Sequence, residues 1–337
     1  MGIIDSVYEP SDSFYDAYNV GRTVDKTSSD EDRAGAHGEI IGEVIGGFSE
    51  SVQLNFYKVM QGGDDLNIWG RDLLKAIGHA HKQDSVDVIS LSAGSDHSED
   101  GNVGCHAYHQ PCRVRAASEE AIDDGITIIS SIGNKKDVDS VTCPATSDQV
   151  ISVGSVTPYC GGSVEIGDTI APGAGNVRPP LACWVEREDD WGVQETLCSG
   201  LGCTVGESCS ANREIEYWDG NAPLGDKFKP DVLAPHNIPT HHDGSPGILS
   251  GTSFAVPWVT ATVAEAIAGL RAEGKTVLPR TIQAGIREST KDRGISVAGV
   301  LYAEDALNKI GNRFGLEFER DHSDDDLFPT TDSPLDD

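Results

Sequence analysis

Gly251-Thr252-Ser253-Phe254-Ala255-Val256-Pro257, running on through Trp258 into an apolar stretch that closes at Leu270, is the segment around which the chain is organised. Gly251 and Thr252 form a tight lead-in, and the apolar run from Phe254 predicts a buried helix. Ser253 then falls at or just before the helix N-terminus, where unpaired backbone N–H groups and the helix dipole favour negative charge. A hydroxyl in that place has two uses. It can cap the helix, or it can attack as a nucleophile with a ready place for an oxyanion beside it.

Working outward, the segments upstream alternate between strand and helix. Residues 1–5 form a short apolar strand ending in Asp5, followed by loop signals through Asp32. A helix begins near His37 in Ala36-His37-Gly38, and Val52–Val59 is a second strand. Leu66–Lys82 carries apolar residues at helical spacing, and Val86–Ser92 is a third strand closed by Ala93-Gly94. A helix over about 115–124 leads to a strand at Ile126–Ser131, which ends in Ile132-Gly133-Asn134, and Val150–Val156 is a fifth strand. This rhythm predicts βαβ units and a parallel sheet, whose ligands gather at the carboxyl ends of the strands. Asp5, Gly94 and Asn134 all stand at such ends. Lys229–Pro235 restores a short strand, a polar loop leads to Ser253, and helices follow near 280–289 and 303–311.

Composition narrows the class. With 337 residues the chain is long enough for a large α/β domain, and no run of about 18 apolar residues suggests a membrane span. No signal peptide is visible at Met1-Gly2-Ile3-Ile4-Asp5. The 55 acidic against 25 basic residues give a net charge of -30, which argues against nucleic acid or an anionic membrane as partner. So acidic a balance resembles proteins of salt-loving (halophilic) microorganisms, in which salt screens self-repulsion. The eight cysteines all lie between 105 and 209, a pattern that fits disulfides and an oxidising compartment. Zinc is the competing use, at Cys198, Cys203 and Cys209 or within Cys105-His106-Ala-Tyr-His109-Gln-Pro-Cys112. Residues 157–226 hold five of the cysteines and no sustained periodicity, and read as a Cys-rich insertion. His241-His242-Asp243 reads as solvated loop, and 312–337 as an acidic, disordered tail.

A serine nucleophile needs a base within reach and a carboxylate to fix that base in one tautomer. His37, at a helix start among small residues, is the natural base, and Asp5 the carboxylate. In that order, and with Gly251-Thr-Ser-x-x-x-Pro257 opening an apolar helix, the chain resembles the subtilisin-like serine peptidases, the subtilases, whose triad runs Asp, His, Ser. The resemblance also rests on Ile3-Ile4-Asp5-Ser6, Ala36-His37-Gly38, Val86–Gly94 and Ile132-Gly133-Asn134, with further likeness at Cys143-Pro-Ala145, Lys229–Pro235 and Gly299–Ala303.

The resemblance implies a three-layer α/β/α fold with a mostly parallel sheet over 1–311. It makes Ser253 the nucleophile, His37 the general base and Asp5 the orienting carboxylate, with Asn134 donating to the oxyanion. Ser92, Ala93 and Gly94, with Ser130, Ser131, Ile132 and Gly133, would line the primary side-chain pocket and pair with substrate as an added strand. It further implies peptide or protein substrates, extracellular work and a monomer. Calcium is a family cofactor, but Gly46–Ser51 is shorter than the loop that binds it, and Ile40 replaces a second family histidine. Two functions are therefore weighed: a serine endopeptidase, and an impaired or truncated protein of the same fold that binds through the Cys-rich insertion. A related class with a Ser-Glu-Asp triad would carry an acid where His37 stands.

Overall fold

The structure, a computed structural model, describes residues 1–6, 10–27, 36–49, 52–59, 70–94, 112–133, 141–156, 229–235, 238–242, 245–249, 251–290 and 301–316. Seven strands form one parallel sheet: β1 (Gly2–Asp5), β2 (Val20–Asp25), β3 (Leu54–Lys58), β4 (Val88–Leu91), β5 (Thr127–Ser131), β6 (Ile151–Val156) and β7 (Val232–Pro235). Their spatial order is β2-β3-β1-β4-β5-β6-β7. From β1 the chain first lays down the edge strand β2, fills the gap between them with β3, and then crosses to add β4 on the other side of β1. The sheet thus has its switch point beside β1, where a ligand crevice opens at the strand carboxyl ends.

Both faces of the sheet are covered, so its strands are apolar on both sides rather than alternating. Successive residues serve opposite layers. Ile4, Tyr57, Ile89 and Ile128 pack with α3 (Gly70–Lys82) and α4 (Arg113–Asp123). Val88, Ile129 and Val153 pack with α5 (Thr252–Ala272), α6 (Pro279–Ser289) and α7 (Ala303–Arg313). Ile3 and Phe56 pack with α2 (Ala36–Phe48) and with Phe14 of α1 (Asp12–Ala17). Helices on both sides of a parallel sheet give the three-layer α/β/α architecture that the family resemblance implies.

By length and composition α5 could cross a membrane, yet 72% of its most apolar stretch is buried in the protein. It is the central helix of its layer, touching β4, β5, β6 and β7. Each fully buried Val or Ile on it contributes roughly 1.5–3 kcal/mol relative to exposure.

Three sequence expectations are corrected. The supposed loop over 6–32 contains α1, capped by Ser11, and the edge strand β2. β2 escapes notice because Val-Gly-Arg-Thr-Val-Asp has no buried residue, its place coming from pairing with β3. The polar loop before Ser253 is an antiparallel hairpin, β8 (Ile238–His242) with β9 (Ser245–Leu249), so His241 and His242 lie on a strand. Finally, the cysteines do not all pair: Cys112 is disulfide-bonded, whereas Cys143 is a free thiol in the core. Burial pushes the Cys143 thiol up to about 12, so it stays protonated at neutral pH. The expected insertion (157–226), the Cys105–His109 cluster and the acidic tail lie outside the described residues.

Candidate active site

Three elements bring the site together. Asp5 ends β1, a central strand held on one side by β3 and on the other by β4. Its carboxylate is buried, and its Oδ1 accepts from the Ser6 backbone N–H at 2.6 Å. The same Oδ1 accepts from His37 Nδ1 at 2.8 Å. This bond fixes the imidazole with its proton on Nδ1, leaving Nε2 as the acceptor. Ser6 ties the two elements further, because its hydroxyl accepts from the Gly38 N–H at 3.2 Å, in the first turn of α2. Burial by itself would lower the His37 pKa, but the charge and hydrogen bond of Asp5 outweigh it and raise the pKa above its usual 6.5.

Ser253 comes from the third element. Gly251 is the N-cap of α5, at φ 142°, a conformation that favours glycine, and makes no side-chain capping bond. Ser253 is thus one residue inside the helix and not its cap, which removes the capping explanation for its presence. Thr252 and Phe254 are buried beside it while Ser253 keeps part of its surface open. The Phe254 ring packs on the His37 imidazole at 4.9 Å between centroids, so the serine and the histidine are neighbours at the same crevice.

The proline four residues on explains a feature of the motif. Pro257 has no N–H to give to the carbonyl of Ser253, so that oxygen lacks its helical partner. The Ser92 hydroxyl supplies the missing donor at 2.9 Å. In return the Ser253 hydroxyl donates to the Ser92 carbonyl at 2.8 Å. Thr252 Oγ1 donates to the Gly133 carbonyl at 3.2 Å, and Thr260 Oγ1 contacts Ser90 Oγ at 3.1 Å. Together these bonds fix the start of α5 against the ends of β4 and β5.

Of the residues singled out from the sequence, the structure joins Asp5 to His37 directly and brings Phe254, the residue after Ser253, onto the same imidazole. Ser92–Gly94 and Ser130–Gly133 leave the same sheet edge. Asn134 lies outside the described residues. The Ser92 hydroxyl and the role of Pro257 were not read from the sequence, although a proline four residues after the serine is a legible signal. Among the described residues no three His, Cys, Asp or Glu side chains converge on a metal position. Gly46–Phe48 forms the last turn of α2, and Glu50 of the segment Gly46–Ser51 lies outside the described residues.

Comparison with known proteins agrees with this fold. The Subtilase family model matches residues 5–312, and the chain therefore belongs to the subtilase family and is a subtilisin-like serine peptidase acting on peptides or proteins. Its fold is similar to that of the prenylagaramide maturation protease PagA, with 17% identity, a TM-score of 0.57 and 92% of each chain covered. It is also similar to the self-cleaved protease domain of PatA at 14% identity and TM-score 0.57, covering 94% of this chain and 98% of that one. The nisin leader peptidase NisP from Lactococcus lactis matches at 19% identity and TM-score 0.54, covering 91% and 86%. No curated protein matches the chain.

Proposed function

We propose that this protein is an endopeptidase working through an acyl-enzyme on Ser253. The observation that carries the reading is the 2.8 Å bond from His37 to the buried Asp5, with the ring of Phe254, the residue after Ser253, packed at a tilt against the same imidazole. The Ser253 hydroxyl leaves the Ser92 carbonyl by a turn about χ1 and gives its proton to His37 Nε2 as Oγ attacks the scissile carbonyl. The imidazolium so formed is stabilised by Asp5. The oxyanion is received by the Ser253 backbone N–H at the start of α5 and by the Asn134 side-chain amide. His37 then protonates the departing amine, the peptide bond breaks, and water attacks the ester with His37 again as base. The disulfide at Cys112 supports work in an oxidising, extracellular setting, to be checked by recovering the enzyme from culture medium rather than cell lysate.

A fluorophosphonate probe tests the assignment. Labelling of the folded protein should map to Ser253, and Ser253→Ala should abolish both labelling and casein cleavage. A folded protein that takes no label, or takes it elsewhere, ends this reading.

A further inference from the structure

Ser253 is clamped between two chain segments. Ser92 holds it through the reciprocal pair of bonds, and its neighbour Thr252 reaches the Gly133 carbonyl on the other side. β4 and β5 are still in register at Leu91 and Ser130, and beyond that pair the segments 92–94 and 131–133 flank the crevice. A peptide whose carbonyl lies at Ser253 must place the side chain on the acyl side of the scissile bond close to these segments.

One side chain already bridges them. Thr142 is bound twice to the β5 side: its N–H donates to the Ile132 carbonyl at 3.0 Å, and its Oγ1 to the Ser131 carbonyl at 3.1 Å. On the β4 side it lies against Gly94 so closely that a methyl group added there would overlap Thr142 Oγ1 and Cβ. Gly94 is thus a glycine because Thr142 needs the space. Thr142 cannot readily swing aside, being β-branched and bonded through both backbone and hydroxyl. Its backbone is anchored by buried Val141 on one side and buried Cys143 on the other, while Thr142 itself keeps part of its surface open. Such a plug between two walls removes the depth that a large side chain would require.

We infer that Thr142 is a specificity-determining residue which floors the side-chain pocket and restricts cleavage to bonds following small residues such as alanine, glycine or serine. This rests on the reading of Ser253 as nucleophile. Loss of even one methylene of fit in an apolar pocket changes selectivity roughly 10–200-fold, so a blocked pocket is easily seen in kcat/KM.

The test uses peptide p-nitroanilides that differ only in the residue before the scissile bond. The wild type should cleave after alanine with a kcat/KM about tenfold or more above that after leucine or phenylalanine. Thr142→Gly should raise the leucine and phenylalanine values about tenfold or more relative to the alanine value. Thr142→Val, of nearly the same shape, should keep the exclusion, which separates volume from the lost hydroxyl bond. Should Thr142→Gly not fold, Thr142→Ala provides the smaller opening, and the wild-type profile alone can overturn the claim. A wild type that cleaves after phenylalanine as well as after alanine refutes it. So does an unchanged ratio in a variant whose Ser253 still takes the fluorophosphonate. Absence of label on the folded wild type instead removes the nucleophile assignment, and the pocket assignment with it.

Discussion

Two buried aspartates stand close to strand ends of the same sheet, and they are served in different ways. Asp231, just before β7, has every oxygen occupied. Its Oδ2 accepts from Lys229 Nζ at 2.9 Å and from the Ser152 N–H and hydroxyl at 2.8 and 2.9 Å. Its Oδ1 accepts from Arg287 Nε at 2.7 Å and from Arg287 Nη2. Lys229, also buried, gives a further bond to the Val150 carbonyl at 3.0 Å. Asp5 is as deeply buried, yet among the described residues only its Oδ1 is occupied, and Oδ2 has no hydrogen-bond partner there. Its partner His37 is still 18% exposed. A saturated carboxylate locks β6, β7 and α6 together. An unsaturated one, paired with a group that reaches the crevice, leaves capacity for a charge that appears only during reaction. Buried polar groups are high-stakes in both cases, but only the first is completed for stability.

The comparison is broken most directly by removing each carboxylate. Asp5→Ala should lower kcat by about 10⁴-fold, the magnitude known for subtilisin itself, a worked case among these enzymes and not a value derived from this geometry. At a pH above the His37 pKa, where the ion pair no longer contributes, its thermal midpoint should hardly fall, since an incompletely bonded buried carboxylate is lost. Asp231→Ala should do the reverse. It strands Lys229 in the core and costs about 3–5 kcal/mol, lowering the melting temperature by about 10 °C, with kcat of the folded fraction unchanged. Calorimetry with active-site titration reads both. Equal stability losses in the two variants would erase the distinction.

The pH dependence sharpens it. Burial tends to raise the Asp231 pKa, but the charges of Lys229 and Arg287 outweigh this and hold it below the usual 3.8. Its stabilisation is complete above that value and is lost as pH falls through the lower folded one. The raised His37 pKa acts in the other direction. The ion pair with Asp5 stabilises the fold fully below about 6.5 and ceases to do so as pH rises through the higher folded value. With His37 as the proposed base, kcat/KM should climb through an apparent pKa above 6.5 while this part of the stability declines. Asp5→Asn should move the acidic limb of the residual activity downward. A limb that stays where it was would show that Asp5 does not set the base.

Much of the site was legible because its chemistry is local: Asp5, His37 and Ser253 each close or open an element whose periodicity is strong. What remained hidden depends on contacts across the sheet. Asp231 reads as one residue in an ordinary strand, and nothing near it in sequence announces Arg287. The Ser92 hydroxyl matters only because Pro257 frees a carbonyl 161 residues away. Thr142 gains meaning only when Gly94 is seen against it. β2 has no apolar pattern to betray it, because an edge strand can be fixed by backbone pairing alone.

The smallest expected effect concerns neither aspartate but the charge outside them. A net charge of -30 repels itself in the compact state, and that repulsion acts mainly through solvent. Raising salt from 0.1 to 1 M shortens the screening length from about 10 to about 3 Å, which removes interactions between exposed charges but reaches buried pairs much less. The wild-type melting temperature should therefore rise by a few degrees in sodium chloride. The Asp231→Ala deficit should persist at every salt concentration, because Lys229 is stranded where ions do not screen it. A melting temperature that stays flat or falls would mean that the acidic surface is not a stability cost. A deficit that shrinks with salt would mean that the Asp231 network is open to solvent, and the contrast with Asp5 would have to be drawn on exposure instead of on saturation.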